Sequence, residues 1–269
     1  MSIDVFYFSG TGNSLQVARQ IARHVDAWLR PIATYDRQTE PIGPEDALGV
    51  VFPVHGFSLP RVVETFLKRV DLCRYEYIFV VSTKGGSPDL VVRDVSRLAR
   101  RQRRTVDAFF SLSMPNNTHF IHDLDTDDEV DQKVRRAEED VLRIATVVQL
   151  RDKYIPPQAK TFSLTLLGAV HRFLSLTEFG GFGRRFSTTS ACTHCGVCVT
   201  VCPSRRIVMG KGRVSWDTGH PCYVCSACVN YCPAQAIRNR GLKPSRTQPS
   251  SQYHHPAVRA LDIAAQTET

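Results

Sequence analysis

The sequence predicts an α/β fold: a five-stranded parallel sheet in the order 2-1-3-4-5 with helices on both faces, followed by a small α+β domain rich in cysteine. Three observations predict it. Strand-like apolar runs alternate with helix-period segments through the first half of the chain. A small polar loop with two glycines joins the first strand to the first helix. Two copies of a four-cysteine run lie close together in the last third. Alternation of this kind implies a parallel sheet covered by helices. In that order, ligands bind beyond the C-terminal ends of the strands, at the switch point.

The elements follow in order. The first strand is expected over residues 4–8 and the first helix over 14–30, where Leu15, Ala18, Ile21, Ala22 and Val25 recur at helical spacing. A short second strand is expected over 31–34, then a loop over 35–46 that holds Pro41 and Pro44. That leaves little chain for a full helix before the third strand at 47–54. Val62, Val63, Phe66, Leu67 and Val70 mark the next helix; the fourth strand is placed at 77–82, a helix at 90–101 and the fifth strand at 105–112. A long amphipathic helix is expected over 127–153, with acidic residues at its start where the helix dipole favours them. These elements make a first domain over 1–155. Pro156-Pro157 marks its boundary, and 156–186 is read as a connecting segment with a short apolar helix through Phe162, Leu164, Leu166, Leu167, Val170, Phe173 and Leu174. The cysteine-rich domain spans 187–240, and the polar, proline-bearing remainder, 241–269, reads as a flexible tail.

The 269 residues are 42% hydrophobic and 22% charged, ordinary for a folded chain. No apolar run is long enough to cross a bilayer. A strand begins within a few residues of the first, so no signal peptide is expected and a cytoplasmic location is. A reducing compartment argues against disulfides for eight of the nine cysteines, clustered between Cys192 and Cys232. Cys73 stands apart and is expected to be an inert buried thiol.

The runs CTHCGVCVTVCP (192–203) and CYVCSACVNYCP (222–233) share the spacing C-x2-C-x2-C-x3-C-P. Three thiolates in a tight loop reach three corners of an iron–sulfur cube, and the fourth, followed by proline, serves the other cluster. One [4Fe-4S] cluster is therefore expected on Cys192, Cys195, Cys198 and Cys232, the second on Cys222, Cys225, Cys228 and Cys202. Gly196 and Ala227 are small enough to let backbone N–H groups approach the sulfurs. Zinc also takes four cysteines, but its sites pair two C-x2-C units across a longer gap. Ile207 and Ile237 follow the two runs at the same offset, and VMGKGRVSW (208–216) suggests a hairpin between the halves.

The first loop, Ser9-Gly10-Thr11-Gly12-Asn13-Ser14, suits a phosphate: glycines allow close backbone approach, short side chains donate, and a helix N-terminus follows. It lacks the Gly-Lys-Ser/Thr of a P-loop and the third glycine of a dinucleotide fingerprint. Three further loops leave strands at the same sheet edge. FPVHGFSLP (52–60) brings Pro53, Val54, His55, Gly56 and Phe57. STKGGSP (82–88) brings Thr83, Lys84, Gly85 and Gly86, and SMPNNT (113–118) brings Met114, Pro115, Asn116 and Asn117. Together they offer a place for a flat ring beside the phosphate, with His55 and Phe57 suited to cover a ring face.

On these motifs, residues 1–150 resemble the flavodoxin family, and 187–240 a bacterial-type two-cluster ferredoxin. The combination is similar to the ferredoxin–flavodoxin fusion proteins of the EFR1 type. That resemblance implies a flavodoxin-like fold and FMN, with its phosphate on Ser9 to Ser14 and its ring against Pro53 to Phe57, Thr83 to Gly86 and Met114 to Asn117. Where similar proteins often carry an aromatic after the last loop's Pro-x-Asn, this chain has Thr118.

The function expected is electron relay between two [4Fe-4S] clusters and FMN, converting one-electron into two-electron steps. The alternative is an FMN-dependent reductase of a small molecule, fed through the clusters. His55, His119 and His122 lie where they could deliver protons, and 117–128 where a lid could form. No Ser/His/Asp or Cys/His set suggests other catalysis. The net charge of +8 invites a nucleic-acid reading. Two clusters at about −2 each and a phosphate at about −2 would bring it to about +2, and no nucleic-acid motif is present. The partners expected are redox proteins, an acidic ferredoxin or reductase among them, with no membrane insertion. The basic run RLARRQRR (97–104) reads first as a solvated helix end and second as a docking patch for such a partner.

Overall fold

The computed structural model describes residues 2–35, 46–86, 90–118, 124–156, 170, 173, 181–210, 212–240 and 252–267. The first domain runs β1 (Ile3–Tyr7), α1 (Asn13–Val25), β2 (Trp28–Pro31), α2 (Ile32–Tyr35), β3 (Ala47–Pro53), α3 (Arg61–Arg69), β4 (Tyr77–Lys84), α4 (Val91–Arg101), β5 (Ala108–Ser113) and α5 (Asp127–Leu150). The sheet order is β2-β1-β3-β4-β5 and every pairing is parallel, the doubly wound, flavodoxin-like order expected.

Strands covered on both faces should read as continuous apolar runs, and every residue of β1 is buried. Its side chains alternate between two cores. Ile3, Val5 and Tyr7 pack with α1 and α5 through Leu15, Ile21, Val141 and Ile144. Phe6 and Phe8 pack with α3 and α4 through Phe66, Leu67, Val95 and Leu98. Gly49 in β3 is required by this packing: a Cβ there would stand 2.3 Å from the Phe79 ring. A capping box starts α5, the Thr126 hydroxyl accepting from the Glu129 N–H while the Glu129 carboxylate accepts from the Thr126 N–H.

The second strand lies earlier than expected. The helix expected to reach residue 30 ends at Val25, and Asp26 turns the chain in the left-handed region at φ 52°. Aspartate tolerates that conformation, and the buried stripe of α1 ends with Val25. Residues 28–31 therefore form the strand, an edge strand that leaves Trp28 68% exposed. Arg30 secures it to β1 by donating from Nε to the buried Asp4 carboxylate at 2.6 Å.

The cysteine-rich part contains β6 (Phe186–Thr188), α6 (Val197–Thr200), β7 (Ile207–Gly210), β8 (Arg213–Trp216), α7 (Ala227–Asn230) and β9 (Ile237–Asn239). β6 pairs with β9 antiparallel, and β7 with β8 forms the hairpin between the two halves. The sequence repeat is also a backbone repeat. Left-handed residues recur at matching places: His194 (φ 56°) with Val224 (φ 52°), Gly196 (φ 81°) with Ser226 (φ 61°), and Arg205 (φ 52°) with Gln235 (φ 48°). The residue matching Gly196 is thus Ser226, not Ala227.

The flexible tail expected over 241–269 needs correction for 252–267, which end in α8 (Ala260–Ala264). Val258, Ile263 and Gln266 are fully buried, and Val258 and Ile263 join the core of α1. The apolar positions are too few and too irregular to announce a helix, yet each finds a preformed surface. Residues 157–169, which hold most of the connecting helix, lie outside the described residues, as do residues 119–123 of the proposed lid, His119 and His122 among them. Among the described residues no helix is long and apolar enough to cross a membrane. Cys73, expected buried, is exposed, and its Sγ donates to the Gln102 carbonyl at 3.1 Å.

Candidate functional site

β1 delivers the 9–14 loop to the C-terminal edge of the sheet, and α1 begins at once. Gly12 stands at the N-cap with φ 98°, and no side chain caps the helix. The first-turn N–H groups have no intrahelical partner by geometry, so this helix start suits an anion. The loop's side chains are tied in place. The Ser9 hydroxyl accepts from the Gly12 N–H at 3.1 Å, Asn13 donates to the Pro115 carbonyl at 3.0 Å, and the Ser14 and Thr83 hydroxyls meet at 2.8 Å. Asn117 donates to the Thr11 hydroxyl at 2.6 Å. Three of the strand-end loops are thereby hydrogen-bonded to one another.

They surround a cavity of about 210 Å³. Ser9, Gly10, Thr11, Asn13 and Ser14 line it from the first loop, and Pro53, Val54, His55 and Gly56 from the second. Thr83, Lys84 and Gly85 come from the third, and Met114, Pro115, Asn117 and Thr118 from the fourth. Four expected residues do not line it. Gly12 faces Val258 and His255 beneath the loop, where a Cβ would stand 2.8 Å from the Val258 side chain. Asn116 turns to Asp125, whose carboxylate accepts its N–H at 2.7 Å. Phe57 (φ 77°) and Gly86 (φ 128°) sit at turns outside the wall, Phe57 giving its carbonyl to Leu90 N–H at 2.7 Å. The uncapped helix, the two-glycine loop and the slot between four loops suit FMN. Among the described residues the lining contains Lys84 and no Asp or Glu.

The far wall was not legible in the sequence. Phe182, Val224, Cys225 and Ser226 close the cavity from the cysteine-rich part. Nothing in the sequence around Phe182 marks it; its ring meets Phe186 edge-on at 5.3 Å. Gly10 shows how close the two parts come: a Cβ there would stand 2.1 Å from the Cys225 carbonyl oxygen. Phe8 meets Tyr223 edge-on at 5.9 Å, and Asn230 donates to the Asn117 carbonyl at 3.2 Å.

The eight cysteines stand about two cavities. Cys192, Cys195, Cys198 and Cys232 line one. Cys202, Cys222, Cys225 and Cys228 line the other. Each set takes three thiols from one run and one from the other. Among the described residues no three His, Cys, Asp or Glu side chains gather as for a single metal ion. Burial pushes the Cys198 thiol up to about 11, with Cys232, Cys195 and Cys192 adding repulsion. Burial also raises Cys228 well above the usual thiol range, with Cys202, Cys225 and Cys222 next. Gathering four thiolates about one small cavity calls for positive charge beside them, which iron provides. Left-handed residues recur inside each loop, a conformation from which backbone N–H nests for anions are built. The Val224 N–H reaches Cys222 Sγ at 3.4 Å, and the Ala236 N–H reaches Cys232 Sγ at 3.3 Å.

Residues 252–267 strap the phosphate loop to the cysteine-rich part. The Gln266 side-chain amide accepts from the Ser9 N–H and donates to the Ser9 carbonyl, both at 2.9 Å. The His255 N–H donates to the Thr11 carbonyl at 2.8 Å, and the Tyr253 hydroxyl donates to Asn13 Oδ1 at 2.8 Å. The same segment reaches the other side: Gln252 donates to the Val229 and Cys232 carbonyls, and Tyr253 N–H to Asn230. Arg19 and Asp262 pair at 2.6 Å.

Residues 191–237 match the family described as the 4Fe-4S dicluster domain. No curated protein matches the chain. Solved structures are similar to part of the chain. A two-electron reduced flavodoxin from Megasphaera elsdenii is 16% identical over 41% of this chain and 85% of its own, with a TM-score of 0.33. A flavodoxin from the domain Archaea is 14% identical over 54% and 99%, with a TM-score of 0.35. An FMN-dependent NADH-azoreductase from Bacillus anthracis, in complex with FMN, is 10% identical over 54% and 100%, with a TM-score of 0.36.

Proposed function

We propose that the chain is an electron-transfer flavo-iron–sulfur protein that holds FMN at the sheet edge and a [4Fe-4S] cluster in each cysteine cavity. Its partners are proteins that exchange single electrons. One observation carries this reading: Cys225 lines both the four-loop cavity and the cavity of the second quartet. Bound FMN exchanges one or two electrons and each cluster one. The chain's own part is placement. The 9–14 loop and the start of α1 bind the phosphate, the three companion loops orient the ring, and Phe182 with the 224–226 backbone excludes water from its far side. Holding the sites on one chain removes a diffusional encounter.

The test is an anaerobic ultraviolet–visible spectrum of the purified protein with iron, labile sulfide and FMN quantified. About eight iron, eight sulfide and one FMN per chain are expected. A protein without flavin bands, or without labile sulfide, would overturn the corresponding half. A screen of reduced protein against small electron acceptors separates a carrier, which passes electrons to proteins, from a reductase that turns a small molecule over.

A further inference from the structure

Arg206 is the largest fully buried side chain among the described residues, 1% exposed, and no other lysine or arginine among them is buried. It lies on the wall of the cavity lined by Cys202, Cys222, Cys225 and Cys228. Its Nη1 donates to the His220 carbonyl at 2.8 Å, which fixes the guanidinium from one end. A guanidinium keeps its charge, and a buried charge is costly unless opposite charge faces it. The Asp217 carboxylate feels the Arg206 charge, but it is exposed to water, which screens it, and it accepts from the Gly219 N–H and the His220 ring. A cluster with four thiolates carries about −2 and presents that charge at the cavity itself.

The other cavity offers a control within the same molecule. Among the described residues its wall contains no lysine or arginine. The two runs continue as CPSRRI and CPAQAI, and both end in a buried isoleucine, Ile207 and Ile237. Arg206 therefore stands where the second copy has the buried Ala236. The quartets match in ligand spacing and backbone conformation, and differ here by one buried positive charge.

We propose that Arg206 is the counter-charge of the Cys202, Cys222, Cys225 and Cys228 site, and makes the cluster held there the more easily reduced of the two. The inference rests on the two-cluster reading. Uptake of one electron makes a cluster one charge more negative, and a fixed cation in a low-dielectric wall favours that state. The more easily reduced centre is then the one that borders the four-loop cavity.

The experiment compares full-length Arg206→Met and Arg206→Lys with the unaltered protein. Iron and sulfide are counted first, then midpoint potentials are measured by anaerobic titration followed by electron paramagnetic resonance. Wild-type protein short of about eight iron would sink the two-cluster reading itself, before any variant is compared. With that count met, Arg206→Met should move one potential to more negative values and leave the other in place, while Arg206→Lys keeps both near wild type. Loss of about half the iron in Arg206→Met, with full iron in Arg206→Lys, supports the same role. The proposal is overturned if Arg206→Met holds full iron with both potentials unchanged, or if the two variants behave alike, including joint loss of iron.

Discussion

Gln266 spends both ends of its amide on the main chain of Ser9, the first residue of the phosphate loop. It is completely buried and stands 257 residues from its partner. Gln266→Ala removes two buried hydrogen bonds and leaves a backbone donor and acceptor unmet, at about 1–3 kcal/mol. FMN binding should weaken by about tenfold or more, read by flavin fluorescence titration; unchanged affinity would show that the loop holds its shape without the strap. Lys84 acts on the ring side. It lines the cavity, and positive charge near a flavin favours its anionic reduced form. Lys84→Gln should therefore lower the two-electron flavin potential; an unchanged or higher value in spectroelectrochemical titration would contradict this. The phosphate loop was legible from the sequence because glycines and short polar residues before a helix have one main use. Gln266 and Phe182 were not, because a residue's role in a wall depends on what folds against it.

At the scale of elements, the strap formed by residues 252–267 is titratable. His255 is 3% exposed, and burial, with His254 adding repulsion, brings its pKa down to about 4. A histidine depressed in the folded state stabilises it fully above about pH 6.5 and loses that contribution as pH falls toward about 4, since the opened strap binds the proton more tightly. Hydrogen exchange across 252–267 should accelerate as pH drops through that window, after correction for intrinsic rates. A His255→Asn variant should lack this acceleration, and equal acceleration in both proteins would place the titration elsewhere. The two cysteine runs also exchange one member each between cavities. Cys202→Ala changes the first run, yet it should remove the cluster bounded by Cys222, Cys225 and Cys228, taking about half the iron. Electron paramagnetic resonance should then retain the signal that Arg206→Met leaves in place; retention of the other signal would contradict the exchange. Strand and helix identities were readable because buried parallel strands are continuous apolar runs and helices repeat at 3.6 residues. The second strand was misplaced because an edge strand with one exposed face carries a weak pattern.

Across the whole molecule, the cysteine-rich part docks on the C-terminal edge of the sheet. Gly10 against the Cys225 carbonyl, Phe8 against Tyr223, and the strap across both make that docking close. The sequence by itself determined the parallel sheet, its strand order, the four loops at one edge and two cysteine quartets. Each of these follows from local patterns: periodicity, turn chemistry and the reach of a thiolate loop. Only the tertiary structure decided that one quartet borders the four-loop cavity, that a buried arginine distinguishes it from the other, and that the apparent tail completes the phosphate loop's support. The physical reason is range. Periodicity and ligand spacing act over a few residues and leave their mark in the chain. Burial of Arg206, the fit at Gly10 and the hydrogen bonds of Gln266 arise only when segments remote in sequence come into contact.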